Sequence, residues 1–144
     1  MAVVLKSSQE IEKMRRAGRV VREVLELVRA RVRPGATTYD LEKAAEARLN
    51  ELGVKAAFKG YHGFPCVLCP SVNSEVVHGI PSPKRVLKEG DIVSVDCGVV
   101  MDGYYGDAAI TVPVGAIDSK AEKLLKITEE SLKAGIAAVR LGAT

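Results

Sequence analysis

Tryptophan is absent from this chain, and phenylalanine occurs only twice. No basic strand is rich in aromatics, so a base-stacking platform for single-stranded nucleic acid is not expected. Long apolar runs are missing as well. Nothing approaches the 18 residues that a membrane span needs, and the opening Met1–Leu5 is too short for a signal segment. Cysteine is scarce and odd in number, at three, which argues against a disulfide framework and predicts reduced thiols and a cytoplasmic location. Charge of either sign barely dominates: 21 basic residues face 18 acidic ones, a net of +3. The one tight basic group, Lys13-Met14-Arg15-Arg16, reads as helix surface, so no nucleic-acid partner is expected. What remains is 144 residues with 47% hydrophobic content and a mean hydropathy of +0.09. That suits a single domain, residues 1–144, with a sizeable core.

The chain is organised around residues 90–115. Two runs, Ile92–Val100 and Tyr104–Val114, are rich in β-branched and aromatic residues and are joined through Asp102-Gly103, a strong hairpin signal. Across a two-residue loop, opposed positions pair an even with an odd number and share a face, so Asp96 and Asp107 fall on one face in either register. A bulge at Gly98 or Gly106 would break that relation. Two same-face carboxylates repel unless something positive lies between them, and a divalent cation is the simplest such partner. The alternative is that one Asp faces solvent on an edge strand and the other caps a turn.

Upstream, Ser7-Ser8-Gln9-Glu10 is a capping box that opens a long amphipathic helix, which Arg33-Pro34-Gly35 ends. Thr37 or Thr38 caps a second helix, Asp40–Leu52, with Leu41, Ala44, Ala45, Leu49 and Leu52 as its apolar stripe. From Ala56 to Gly90 the chain breaks into short extended pieces punctuated by Gly and Pro, a region that holds both histidines. After the hairpin, Ser119 with Glu122 predicts the start of a third helix. The expected fold is α+β: two helices, an antiparallel sheet with a central hairpin, then a third helix. An additional short strand is allowed near residues 56–59.

Cys66-x-x-Cys69 lacks the further ligands of a zinc site, since the one remaining thiol is Cys97. It also lies away from a helix N-terminus, where a redox thiolate would be stabilised, so these cysteines read as small buried hydrophobes. His78, held between Val77 and Gly79-Ile80-Pro81, is the better placed histidine. Near a carboxylate-bound metal it could donate to a peptide carbonyl.

Sliding the chain by 107 residues lays the third helix on the first and matches Val32-Arg33-x-Gly35-Ala36-Thr37 with Val139-Arg140-x-Gly142-Ala143-Thr144. Residues 119–144 therefore look like the start of a second copy of the unit.

Six motifs in fixed order carry a family resemblance. They are Gly60-Tyr61-His62-Gly63-Phe64-Pro65, Ser71-Val72-Asn73, Val77-His78-Gly79-Ile80-Pro81, Gly90-Asp91-Ile92-Val93, Asp96-Cys97-Gly98 and Asp102-Gly103-Tyr104-Tyr105-Gly106-Asp107-Ala108. Together they resemble type I methionine aminopeptidase, in its N-terminal half only. The resemblance implies half of a duplicated "pita-bread" unit. It also implies removal of N-terminal methionine from peptides, with two divalent ions (Co, Mn, Fe or Zn) per complete site. Asp96 and Asp107 match the two metal-ligating Asp of the family. Its ligating His and two Glu lie beyond residue 144 in the family pattern, so weak or absent activity is expected of this chain alone. His78 matches the histidine near the scissile bond. Tyr61, His62, Phe64 and Cys69 match substrate-binding positions, and Phe58 stands where a bacterial relative has a small Cys, which narrows the pocket. Expected partners are a peptide beginning with Met, and either a complementary C-terminal half or a second copy. The alternative function is a non-enzymatic half-domain that self-associates into a homodimer imitating the full pseudo-twofold.

Overall fold

A computed structural model describes residues 3–143. Its elements are α1 (Ser8–Arg29), α2 (Thr38–Glu51), β1 (Lys55–Ala56), a single 3-10 turn (Tyr61–Gly63), β2 (Leu68–Val72), β3 (Ile92–Met101), β4 (Tyr104–Pro113) and α3 (Ser119–Ala138). The α+β expectation holds, with the extra strand reduced to two residues.

Both N-terminal helices begin with full capping boxes. Ser7 and Glu10 exchange bonds at the start of α1, and Thr37 and Asp40 do so at the start of α2. The third cap differs from the expectation. Asp118, one residue before Ser119, accepts from Ala121 N at 2.8 Å. Either residue type caps well, and the one whose backbone stays extended takes the position.

The sheet is antiparallel around β3. On one side β4 pairs with it along its whole length. On the other, β2 pairs with residues 93–97 and β1 with residues 99–100. The hairpin turns through Asp102 and Gly103 at φ 51° and 80°, the doubly positive pair that suits the right-handed twist of the strands. No bulge interrupts the register.

One face of this sheet is sealed. Val93, Val95, Cys97 and Val99 of β3 point beneath α1, which contributes Ala17, Val21, Val24, Leu25 and Val28. Leu68 and Val72 of β2 meet Leu41, Ala45 and Leu49 of α2 within the same cluster. Each fully buried Val or Leu adds about 1.5–3 kcal/mol of transfer free energy. Strand β4 comes unusually close to α1: a Cβ on Gly106 would lie 2.6 Å from the carbonyl carbon of Ala17. The expected stripe of α2 needs one correction, because Thr38 and Glu42 are buried alongside its apolar residues.

The other face of the sheet carries no helix: Asp107 and Ala109 of β4 are exposed there, while Cys69 and Ser71 of β2 are buried; α3 is uncovered. None of the side chains of α3 among the described residues is buried. Leu124, Ile127, Leu132 and Ile136 are all exposed.

Candidate metal centre on the open sheet face

Register alone brings the two predicted carboxylates together. Asp96 stands opposite Ala109, and Asp107 stands opposite Gly98, so the acids are diagonal neighbours on the open face. The Asp96 carboxyl is pushed above its ordinary pKa, first by burial and then by the like charge of Asp107. One of its oxygens, Oδ1, is buried without any hydrogen-bond partner. Such an oxygen is costly to leave unmatched, and a cation beside it would remove the cost. The donor chemistry fits a hard divalent ion. Among the described residues, however, no group of three or more His, Cys, Asp and Glu side chains could hold a metal.

The surroundings of the pair are built by long-range packing. Cys69 of β2 lies directly across from Asp96. Burial, followed by the charge of Asp96, raises the Cys69 thiol to about 11. Cys97 points to the opposite face, deep in the core, and is pushed up to about 12. Neither is a ready thiolate at neutral pH.

The loop from 57 to 67 joins β1 to β2 and meets the sheet at Gly98 of β3. Ala57 N donates to Gly98 O at 2.8 Å, and the Phe58 ring lies over Gly98, where a Cβ would be 2.6 Å from the ring. Phe58 thus covers Gly98, which is two residues along from Asp96 and directly across from Asp107. Phe64 is half-buried, Tyr61 is 69% exposed, and the Tyr61 ring meets His62 edge-on at 4.3 Å. His62 adopts φ 46°, a left-handed conformation inside the 3-10 turn.

His78 is exposed and also left-handed, at φ 60°. Its neighbour fixes it in place. Gly79 N donates to Ser71 Oγ at 3.1 Å, and a Cβ on Gly79 would strike Pro70 O at 2.3 Å, so the backbone there lies flat on β2.

Sequence reasoning missed two residues that assemble this face. Ser71 is buried and anchors Gly79. Glu42, only 4% exposed, accepts from Val67 N at 2.7 Å and Leu68 N at 2.9 Å. The spacing of Glu42 from Leu41, Ala45 and Leu49 places it on the buried stripe, a signal that its charge concealed.

The fold and the paired acids define half of a pita-bread metallopeptidase unit, and comparison with known proteins agrees. Residues 12–144 match metallopeptidase family M24, and the chain belongs to that family. Methionine aminopeptidase of Clostridium acetobutylicum is 47% identical over 140 residues, covering 97% of this chain and 56% of that protein. Methionine aminopeptidase 1 of Mycobacterium tuberculosis is 48% identical over 137 residues, covering 95% of this chain and 52% of that protein. The crystal structure of the Thermotoga maritima methionine aminopeptidase superposes with a TM-score of 0.93 at 45% identity, over 96% of this chain and 56% of that one. The chain therefore spans about half the length of the relatives it matches. No helix among the described residues is long and apolar enough to cross a membrane.

Proposed function

We propose that this chain is the N-terminal half of a metal-dependent methionine aminopeptidase, carrying part of the metal site and one wall of the substrate pocket. The observation that carries the reading is the same-face pair Asp96 and Asp107, with Asp96 Oδ1 buried and unpartnered. In this reading Asp96 and Asp107 supply carboxylate oxygens to divalent ions. A divalent ion, when bound, polarises a carbonyl oxygen and activates water. His78, held next to Gly79 where the backbone lies on β2, donates to the carbonyl oxygen of the scissile bond. Phe58, Tyr61, His62, Phe64 and Cys69 receive the methionine side chain, whose flexible thioether suits an apolar, aromatic-edged slot. The unpaired thiols fit a reducing cytoplasm.

The same reading makes α3 the first helix of a second unit. At the 107-residue offset, the buried α1 positions 17, 21, 24, 25 and 28 correspond to Leu124, Thr128, Ser131, Leu132 and Gly135, none of them charged. Every charged residue from Lys120 to Lys133 falls on an α1 position that is not buried. This supports an α3 made to lie on a sheet as α1 does. A complementary C-terminal half offers such a sheet. Self-association through the open sheet face and α3 remains the second reading, favoured by the exposure of Leu132 and Ile136, each at 63%.

The test is release of free methionine from a Met-Ala-Ser peptide in Mn²⁺ or Co²⁺. The chain alone should be weak or inactive. Activity should appear on mixing with the C-terminal remainder of the Thermotoga maritima enzyme, and Asp96→Ala should abolish it. Activity indifferent to Asp96→Ala, or a mixture that never turns over, would count against the proposal.

A further inference from the structure

The loop that carries Phe58, Tyr61, His62 and Phe64 is fastened at both ends to a single face of α2. At its entry Lys59 Nζ donates to Glu46 Oε1 at 2.5 Å. At its exit Val67 N and Leu68 N donate to the two oxygens of Glu42 at 2.7 and 2.9 Å. Glu42 and Glu46 are four residues apart and so lie one above the other on the helix. The two fastenings are unequal. The Lys59–Glu46 pair is open to solvent, with side chains 51% and 38% exposed, and a pair of that kind holds weakly. Glu42 is nearly inaccessible, and a carboxylate accepting two backbone amides makes the stronger, charge-assisted kind of bond. Burial raises its pKa, while the two amides pull in the opposite direction. Without that carboxylate, the amides of buried Val67 and Leu68 lose the acceptor they have here.

Just ahead of the first fastening, next to Lys59 in the chain, the loop touches the sheet. Ala57 N bonds to Gly98 O, and the Phe58 ring covers Gly98 next to Asp96 and Asp107. Tyr61 N and Gly60 N close the loop on Phe58 O and Phe64 O, at 2.9 and 2.8 Å, so its rings move as a set. We infer that Glu42 is a positioning residue: from α2 it sets where this aromatic loop stands over the paired carboxylates. The inference rests on the proposed function for the roles of the loop and of the acids, and not for the linkage itself.

The chain has only two phenylalanines, and both lie in this loop. Labelling with para-fluorophenylalanine therefore gives two fluorine NMR lines that report on the loop alone. The parent should give two sharp lines, and Mn²⁺ should broaden the Phe58 line more than the Phe64 line, because the Phe58 ring covers Gly98, directly across from Asp107. Glu42→Gln keeps the size of the side chain but sets an amide NH₂ against one of the backbone N–H groups. In a chain that still melts cooperatively, it should shift or split both lines and lessen the Mn²⁺ broadening of Phe58. Glu42→Asp, with both acceptor oxygens retained, should bring the lines back toward the parent positions. A folded Glu42→Gln chain with unchanged lines and unchanged broadening would overturn the inference. If Glu42→Gln does not fold, Lys59→Ala takes its place: because the rings move as a set it should shift both lines, and two unmoved lines contradict control of the loop from α2. If Mn²⁺ broadens neither line in the parent, the metal reading fails, while the line positions still decide the role of Glu42.

Discussion

Tyr104 at the hairpin tip donates to Glu10 at 2.9 Å, joining β4 to the first turn of α1. Glu10 also accepts from Ser7 N and Ser7 Oγ, and these bonds, the Ser7 amide first, hold its carboxyl at about 2, below the ordinary 4.5. Tyr104 moves the other way, its phenol raised above 10 chiefly by its bond to Glu10. The signs give two losses. The Glu10 contribution to stability is fully present above the unfolded value near 4.5 and disappears as pH falls toward 2. The Tyr104 contribution is present below 10 and disappears as pH rises through its raised value. Urea midpoints measured across pH should fall at both ends, and Tyr104→Phe should lessen the alkaline fall, to which the raised Cys69 and Cys97 thiols also contribute, while leaving part of the acid one, since Ser7 still holds Glu10. Equal alkaline falls in parent and variant would contradict this account. Residue-scale detail of this kind was only partly legible in the sequence. The Ser7–Glu10 box is local and could be read directly, whereas the tie to Tyr104 spans 94 positions and depends on how helix and hairpin dock.

At the scale of elements, the hairpin was the most readable part of the chain. A period of two and an Asp-Gly turn set its register, and register alone puts Asp96 and Asp107 on one face. The capping box of α1 was legible because it is local, and for α2 the cap was narrowed to Thr37 or Thr38, of which Thr37 takes the position with Asp40 completing a box. The burial of Glu42 was not, because a carboxylate becomes tolerable inside only through two amides 25 and 26 positions away. The position of His78 likewise depends on Gly79 lying on β2, a contact with no local signature. Docking of α1 on β4 makes the sharpest demand. Gly106 faces the α1 backbone at Ala17 and Gly18 with no room for a side chain. Gly106→Ala should force the strand and helix apart and cost about 1–3 kcal/mol in urea unfolding. Gly103, at the exposed turn, has nothing within 4 Å and needs its glycine only for a φ of 80°. A Gly106→Ala chain as stable as the parent would mean that the close approach is not rigid.

At the scale of the whole molecule, the sheet is finished on one side and open on the other. Helices α1 and α2 seal one face, the paired acids lie on the open face, and α3 leaves the body with no buried side chain among its described residues. The apolar stripe of α3 was legible, but nothing within residues 3–143 covers it. Two carboxylates alone bind a divalent ion weakly, since such ions take about six oxygen ligands. A partner that lies on α3 and the open face, bringing further ligands, should therefore tighten binding. Calorimetric titration with Mn²⁺ tests the central claim most directly. The account predicts weak, saturable binding by the chain, absent in Asp96→Ala and tighter once the complementary half of a relative is added. Binding that is unchanged by Asp96→Ala, or absent even in the complemented chain, would contradict it.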